Sequence, residues 1–191
     1  MTRMNKYVCL IAVLLFTGIL LGSSLNAYGQ RRDYMTDAEI ELVREAQDID
    51  LRIDILTKMI DRRLEAAGIS AGGEKIRSKD SDKWGEAPKG TRLQLLGDVR
   101  SLLQKAIDDV DDVAEHNDNT LTQNKTEGLL FPKAVRALAA AAQRYRTALA
   151  PIAQATRDER EKGLLLASIE SCGDIIEAAQ NLPPEKPKTK H

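Results

Sequence analysis

The sequence predicts an all-α protein, an antiparallel four-helix bundle behind a signal peptide, and three observations carry that expectation. Four segments repeat apolar residues at alternating steps of three and four, the spacing that lays one stripe along one face of a helix. Three capping boxes, Thr36-Asp37-Ala38-Glu39, Thr91-Arg92-Leu93-Gln94 and Thr156-Arg157-Asp158-Glu159, mark helix starts. The 191 residues are 42% hydrophobic but only 4% aromatic, an aliphatic composition that leans helical and disfavours a β-sandwich.

The first element is an address. Arg3 and Lys6 precede an apolar stretch from Tyr7 to Leu21, and small residues follow at Gly22, Ser23 and Ser24 and again at Ala27-Tyr28-Gly29. This is the layout of a secretory signal peptide over residues 1–29, with cleavage after Gly29 and a periplasmic or extracellular chain beginning at Gln30. The competing reading is an uncleaved membrane anchor, because weakly polar residues extend the run to about Leu25, near the ~20 residues that span a bilayer. Cys9 lies within the apolar stretch, far from the small-residue site where a lipid-bearing cysteine would sit. Cleavage removes Arg3 and Lys6, leaving a mildly acidic chain whose one cysteine is Cys172, so packing rather than an internal disulfide must stabilise it.

The helical domain is expected over residues 30–182. The first helix, 36–67, carries Leu42, Ala46, Ile49, Ile53, Leu56 and Ile60 on one face and Glu41, Arg44, Asp48, Arg52, Lys58 and Arg62 on the other. Residues 68–90 hold five glycines, a proline and alternating charge, and read as a long mobile loop. The second helix, 92–117, has the stripe Leu96, Val99, Leu103, Ala106 or Ile107, Val110 and Ala114. The third, 132–155, opens on Pro132 and repeats Val135, Leu138, Ala142, Tyr145, Leu149 and Ile152. Pro151 interrupts its backbone pattern, and the fourth helix, 158–181, follows a short break with Leu165, Ile169, Cys172, Ile176 and Ala179. One helix kinked at Pro151 is the alternative. Residues 183–191 form a Pro/Lys tail with nothing to bury. Heptad-like stripes on four amphipathic helices are most simply covered by packing them together at shallow, coiled-coil-like crossings.

Candidate chemistry is sparse. No Glu-x-x-His pairs for a di-iron centre and no Cys-x-x-Cys-His for haem occur, so no cofactor is implied. His116 and His191 are the two histidines, and His116, near a helix C-terminus, suits the helix dipole better than a triad or zinc site. Asp108, Asp112 and Glu115 share one helical face and are candidate ligands for Ca²⁺ or Mg²⁺, although helix side chains diverge and the alternative is a solvated face. Cys172 fits an apolar core position, with a reactive thiol as the sharper reading. Trp84, alone in the glycine-rich loop, is either a contact for a protein partner or a ring folded back onto the helices. Asn124-Lys125-Thr126 matches a glycosylation sequon, a pattern that recurs by chance.

The segments Tyr34-Met35-Thr36-Asp37-Ala38-Glu39, Arg44-Glu45-Ala46-Gln47-Asp48 and Arg62-Arg63-Leu64 resemble the first helix of uncharacterised exported helical proteins of bacteria. The resemblance covers about thirty residues and implies export and an all-helical body, with no activity, substrate or catalytic residue attached. The expected role is a non-catalytic structural or protein-interaction module, partnered by another protein or by itself. A helical bundle binding a small ligand or divalent cation is the alternative. Near-zero net charge excludes a polybasic nucleic-acid binder, and a membrane is a partner only if the N-terminal segment stays uncleaved.

Overall fold

The computed structural model describes residues 32–74, 76, 78–116, 123–124 and 128–182. The signal-peptide segment, the 183–191 tail and Lys125-Thr126 of the sequon lie outside them. The described chain is all-helical: α1 (Asp37–Glu45), α2 (Ile49–Ala66), α3 (Arg92–His116), α4 (Leu130–Ala155) and α5 (Glu159–Gln180) pack against one another. A 3₁₀ helix, Ser78–Trp84, lies between α2 and α3. A two-residue antiparallel pair, Gln123–Asn124 with Gly128–Leu129, precedes α4.

The expected first helix, 36–67, is two helices. Its start is as read: Thr36 Oγ1 accepts from Glu39 N at 3.3 Å while Thr36 N donates to the Glu39 carboxylate at 3.0 Å. At Ala46 and Asp48 the backbone becomes extended, with φ −75°, ψ 91° and φ −81°, ψ 137°. The apolar stripe continues across this elbow, and neither glycine nor proline occupies it, so nothing local in the sequence marks the break. Tertiary contacts make it: α1 folds back along α2, Arg52 donates to Ala46 O at 3.0 and 3.1 Å, and Glu39 reaches Arg62 and Arg63. At its other end α2 stops where expected, in a Schellman motif. Gly68 takes φ +76°, its N–H bonds Glu65 O at 2.9 Å, and Ile69 N bonds Leu64 O at 2.8 Å.

The stretch 68–90, expected to be a mobile loop, is tied down. Ile69 and Trp84 are buried in the core, and Arg144 of α4 donates to Ala71 O at 2.9 Å and to the Asp61 carboxylate of α2 at 3.2 and 3.3 Å. Gly73 lies so close to that carboxylate that a Cβ there would be driven into it.

α2 packs against α3 and α4, and α5 packs against the same two, so α2 and α5 occupy opposite corners around one core. Lys133 meets Asp50 at 2.8 Å, the Tyr145 hydroxyl donates to Thr57 O at 3.0 Å, and Arg144 meets Asp61, so α2 and α4 run in the same sense. Arg92, opening α3, donates to Ala67 O just beyond α2 at 2.5 Å and to Glu161 at the start of α5 at 2.9 Å, which aligns α3 with α5. Between them Ile53, Leu56, Met59, Ile60, Leu102, Leu103 and Leu149 are fully shielded from solvent.

The third and fourth helices are separate and divided beyond Pro151, as expected, but the fourth is not capped by Thr156. α4 begins at Leu130, placing Pro132 within the first turn where its missing N–H costs nothing, and it continues past Pro151 to Ala155. Pro151 and Thr147 are both exposed, so water can satisfy the Thr147 carbonyl that the proline leaves unbonded. Asp158, not Thr156, caps α5, accepting from Arg160 N at 2.9 Å and Glu161 N at 3.3 Å. Pro151→Ala restores the missing bond and Gly163→Ala adds a Cβ with nothing within 4 Å. Urea titration is expected to show stabilisation of about 1–2 and about 0.5–1 kcal/mol respectively.

Candidate functional site

Most of the buried charge in the described residues converges on one place, where α1 crosses the C-terminal half of α2. Arg63 follows Ile60 by three residues and so falls on the apolar stripe; it is 1% exposed. A guanidinium cannot shed its charge there and needs a carboxylate, which Glu39, 0% exposed, supplies from the third position of α1. Arg63 grips it with two nitrogens at 2.5 and 2.6 Å and donates also to Tyr34 O at 2.7 Å, while its Nε has no partner. Arg62 adds a contact to Glu39 at 2.7 Å, lies 5.5 Å from the Trp84 ring centroid and donates to the carbonyls of Trp84, Gly85 and Glu86. Burial pushes the Glu39 pKa up, but the hydrogen bonds from Arg63 and Thr36 N and the charges of Arg63 and Arg62 outweigh it and hold the carboxyl below its ordinary value.

Beside this cluster a cleft of about 590 Å³ opens between α2 and the glycine-rich segment. Its charged lining is Lys58, Asp61, Arg62, Glu65 and Glu74, of which Lys58 is engaged with Asp54 at 2.6 Å, Asp61 with Arg144 and Arg62 with Glu39. The opening is therefore polar, with both of its cations, Lys58 and Arg62, already paired within the chain.

The residues singled out from sequence are not gathered here. Trp84, considered as a partner contact, is 7% exposed and belongs to the core, because Arg62 and Gly85 at φ +60° turn its segment inward. Asp108 is exposed and accepts from Gln104 at 2.9 Å, Asp112 and Glu115 are exposed on the same helix, and no group of three or more His, Cys, Asp or Glu among the described residues is placed to hold a metal ion. His116 is the last residue of α3.

Cys172 is fully buried in α5, and burial pushes its thiol pKa up to about 12, away from thiolate chemistry. Its modification by a thiol reagent at pH 8 should therefore proceed at the rate of unfolding, with reaction in the native state as the contrary result.

The Glu39–Arg62–Arg63 cluster escaped the sequence reading, which set Arg62 on the solvent face. The available signal was Arg63, whose place on the apolar stripe demands an acidic partner. Comparison with protein-family models, with curated proteins and with solved structures returned no match for this chain.

Proposed function

We propose that the chain is an exported, non-catalytic structural or protein-interaction module whose four long helices form a four-helix bundle with successive helices alternating in sense. The observation that carries this reading is how its charge is used. Arg62 and Arg63 under α1 and Arg144 beside the cleft are each paired with a carboxylate of another element, the pattern of groups employed in holding helices together rather than poised for proton transfer or nucleophilic attack. The basic-apolar-small layout of residues 1–29 supports export to the periplasm or beyond.

The test is expression of the full chain in a bacterium, with fractionation, mass spectrometry of the N-terminus, and light scattering coupled to size exclusion. An extracytoplasmic product beginning at Gln30 that self-associates or retains a specific protein partner supports the proposal. A chain retained in the cytoplasm overturns export, and a strictly monomeric, partnerless product overturns the interaction role.

The cleft of about 590 Å³ favours a second reading, a bundle that binds a small ligand or divalent cation. Calorimetric titration with Ca²⁺ and Mg²⁺ and a thermal-shift survey of small polar metabolites test it, saturable binding being the expected result.

A further inference from the structure

We propose that α1 is an acid-released latch: protonation of Glu39 frees α1 from α2 and the 3₁₀ helix as a unit, while α2, α3, α4 and α5 stay packed. The device goes beyond the interaction-module reading and does not depend on it.

α1 is held by charge where the other helices are held by apolar packing. Its fully buried residue is Glu39, whereas α2 buries Ile49, Ile53, Leu56, Met59, Ile60 and Leu64. Tyr34 and Met35 just before α1, and Leu42 and Val43 within it, are only partly buried against the core. α1 packs against α2 and the 3₁₀ helix, while the fully shielded Leu56, Leu103 and Leu149 lie on α2, α3 and α4. The main core is therefore built without the arm, which makes opening of α1 alone less costly than opening of the whole chain.

The charges that face Glu39 come from α2, as Arg62 and Arg63, and its own cap adds the Thr36 N–H. The 3₁₀ helix carries Asp80, Asp82 and Lys83, but what its end supplies here is the row of carbonyls, Trp84, Gly85 and Glu86, that fixes Arg62 in place. A proton on Glu39 removes the one anion from between two guanidinium groups. Arg63 is 1% exposed, its Nε already lacks a partner, and it cannot give up its own charge. A docked arm with a neutral Glu39 thus leaves a buried cation without a counter-ion, which is worse than having the arm aside and water at Arg63.

A joint for this movement is present. The backbone is extended at Ala46 and at Asp48, and Asp48 makes no side-chain cap bond, so α1 can swing on residues 46–48 without unwinding either helix. The Arg52 bonds to Ala46 O hold the joint itself rather than the arm beyond it.

The direction follows from where the proton binds better. Burial raises the Glu39 pKa, but the bonds and charges of Arg63, Thr36 and Arg62 outweigh it and hold the docked carboxyl below 4.5. The free arm therefore takes up the proton first, and below pH 4.5 the equilibrium moves towards it by about tenfold per pH unit, the slope of one proton, down to the docked value.

Hydrogen exchange of the full chain, read by mass spectrometry from pH 7 to pH 3 and corrected for the intrinsic rate at each pH, tests the latch. The amides of Ile40 to Glu45 are expected to exchange ahead of those of α2, α3, α4 and α5 at every pH, and their protection to fall about tenfold per pH unit below 4.5 while the other helices stay protected. Glu39→Gln keeps the shape of the carboxyl without its charge, so in that variant α1 should already be unprotected at pH 7 and lose the one-proton slope. The wild-type series decides the matter by itself if the variant does not fold. Amides of α1 that exchange only together with those of the other helices, or whose protection is the same at pH 7 and pH 3, overturn the latch.

Discussion

Glu39→Ala should be the most damaging single change at a charged position in this protein, lowering the unfolding free energy by about 3–5 kcal/mol, because it leaves the Arg63 guanidinium buried and unpaired. Removing the carboxylate abolishes both Arg63 contacts and the Arg62 contact at once, and takes away half of the Thr36 capping box. Replacing a buried pair with apolar residues can be neutral, whereas breaking it from one side is not, so Arg63→Met in the same background should recover part of the loss. Denaturant unfolding of the single and double variants measures this coupling; additive losses would contradict it.

The same cluster sets an acid limit. The Glu39 pKa is depressed in the folded state below its ordinary value of 4.5, so the folded chain stays deprotonated where the unfolded chain binds a proton. Its contribution is complete above the unfolded value and is lost as pH falls from there through the folded value. Stability should therefore drop below about pH 4.5, and the Glu39→Gln variant should show a shallower drop across that window.

Leu56→Ala is the second large effect, expected at about 2–5 kcal/mol with a fall in melting temperature of roughly 10 °C. Leu56 is 0% exposed in the core, on the helix α2 that packs against α1, α3 and α4, so the void opens among close-packed neighbours that can only partly relax into it. Leu51→Ala, five residues earlier on the same helix, is the contrast: at 53% exposure it should change monomer stability by less than about 0.5 kcal/mol. Calorimetric scans of the two variants side by side test the pair; equal losses would mean that Leu51 is covered in solution.

Much of the architecture was legible along the chain because it is encoded within a few residues. The capping boxes at Thr36 and Thr91 form as written, and the Gly68 stop takes the left-handed backbone that glycine permits. The stripe residues Ile53, Leu56, Val99, Leu103, Leu138, Tyr145, Leu149, Leu165 and Cys172 are all buried, since a period of 3.6 fixes which side of a helix a residue occupies. Periodicity says that a face is covered and is silent on what covers it. That is why the bend between Glu45 and Ile49 was invisible: the local pattern favours one helix, and contacts between residues more than twenty positions apart overrule it.

Trp84, Arg62 and Asp158 teach the same lesson from smaller choices. The Trp84 ring goes inward because Arg62 closes over it and binds the carbonyls around it, and Asp158 rather than Thr156 caps α5 because Thr156 N still bonds Ile152 O in the last turn of α4. By itself the sequence determined the helical class, the apolar face along most of each helix though not at Ala114, which is exposed, and most helix ends, all set by hydrogen bonding and hydrophobic spacing within a turn or two. Tertiary structure alone decided the elbow and the Glu39–Arg62–Arg63 cluster, because each depends on desolvated charges and packed faces brought together across the chain.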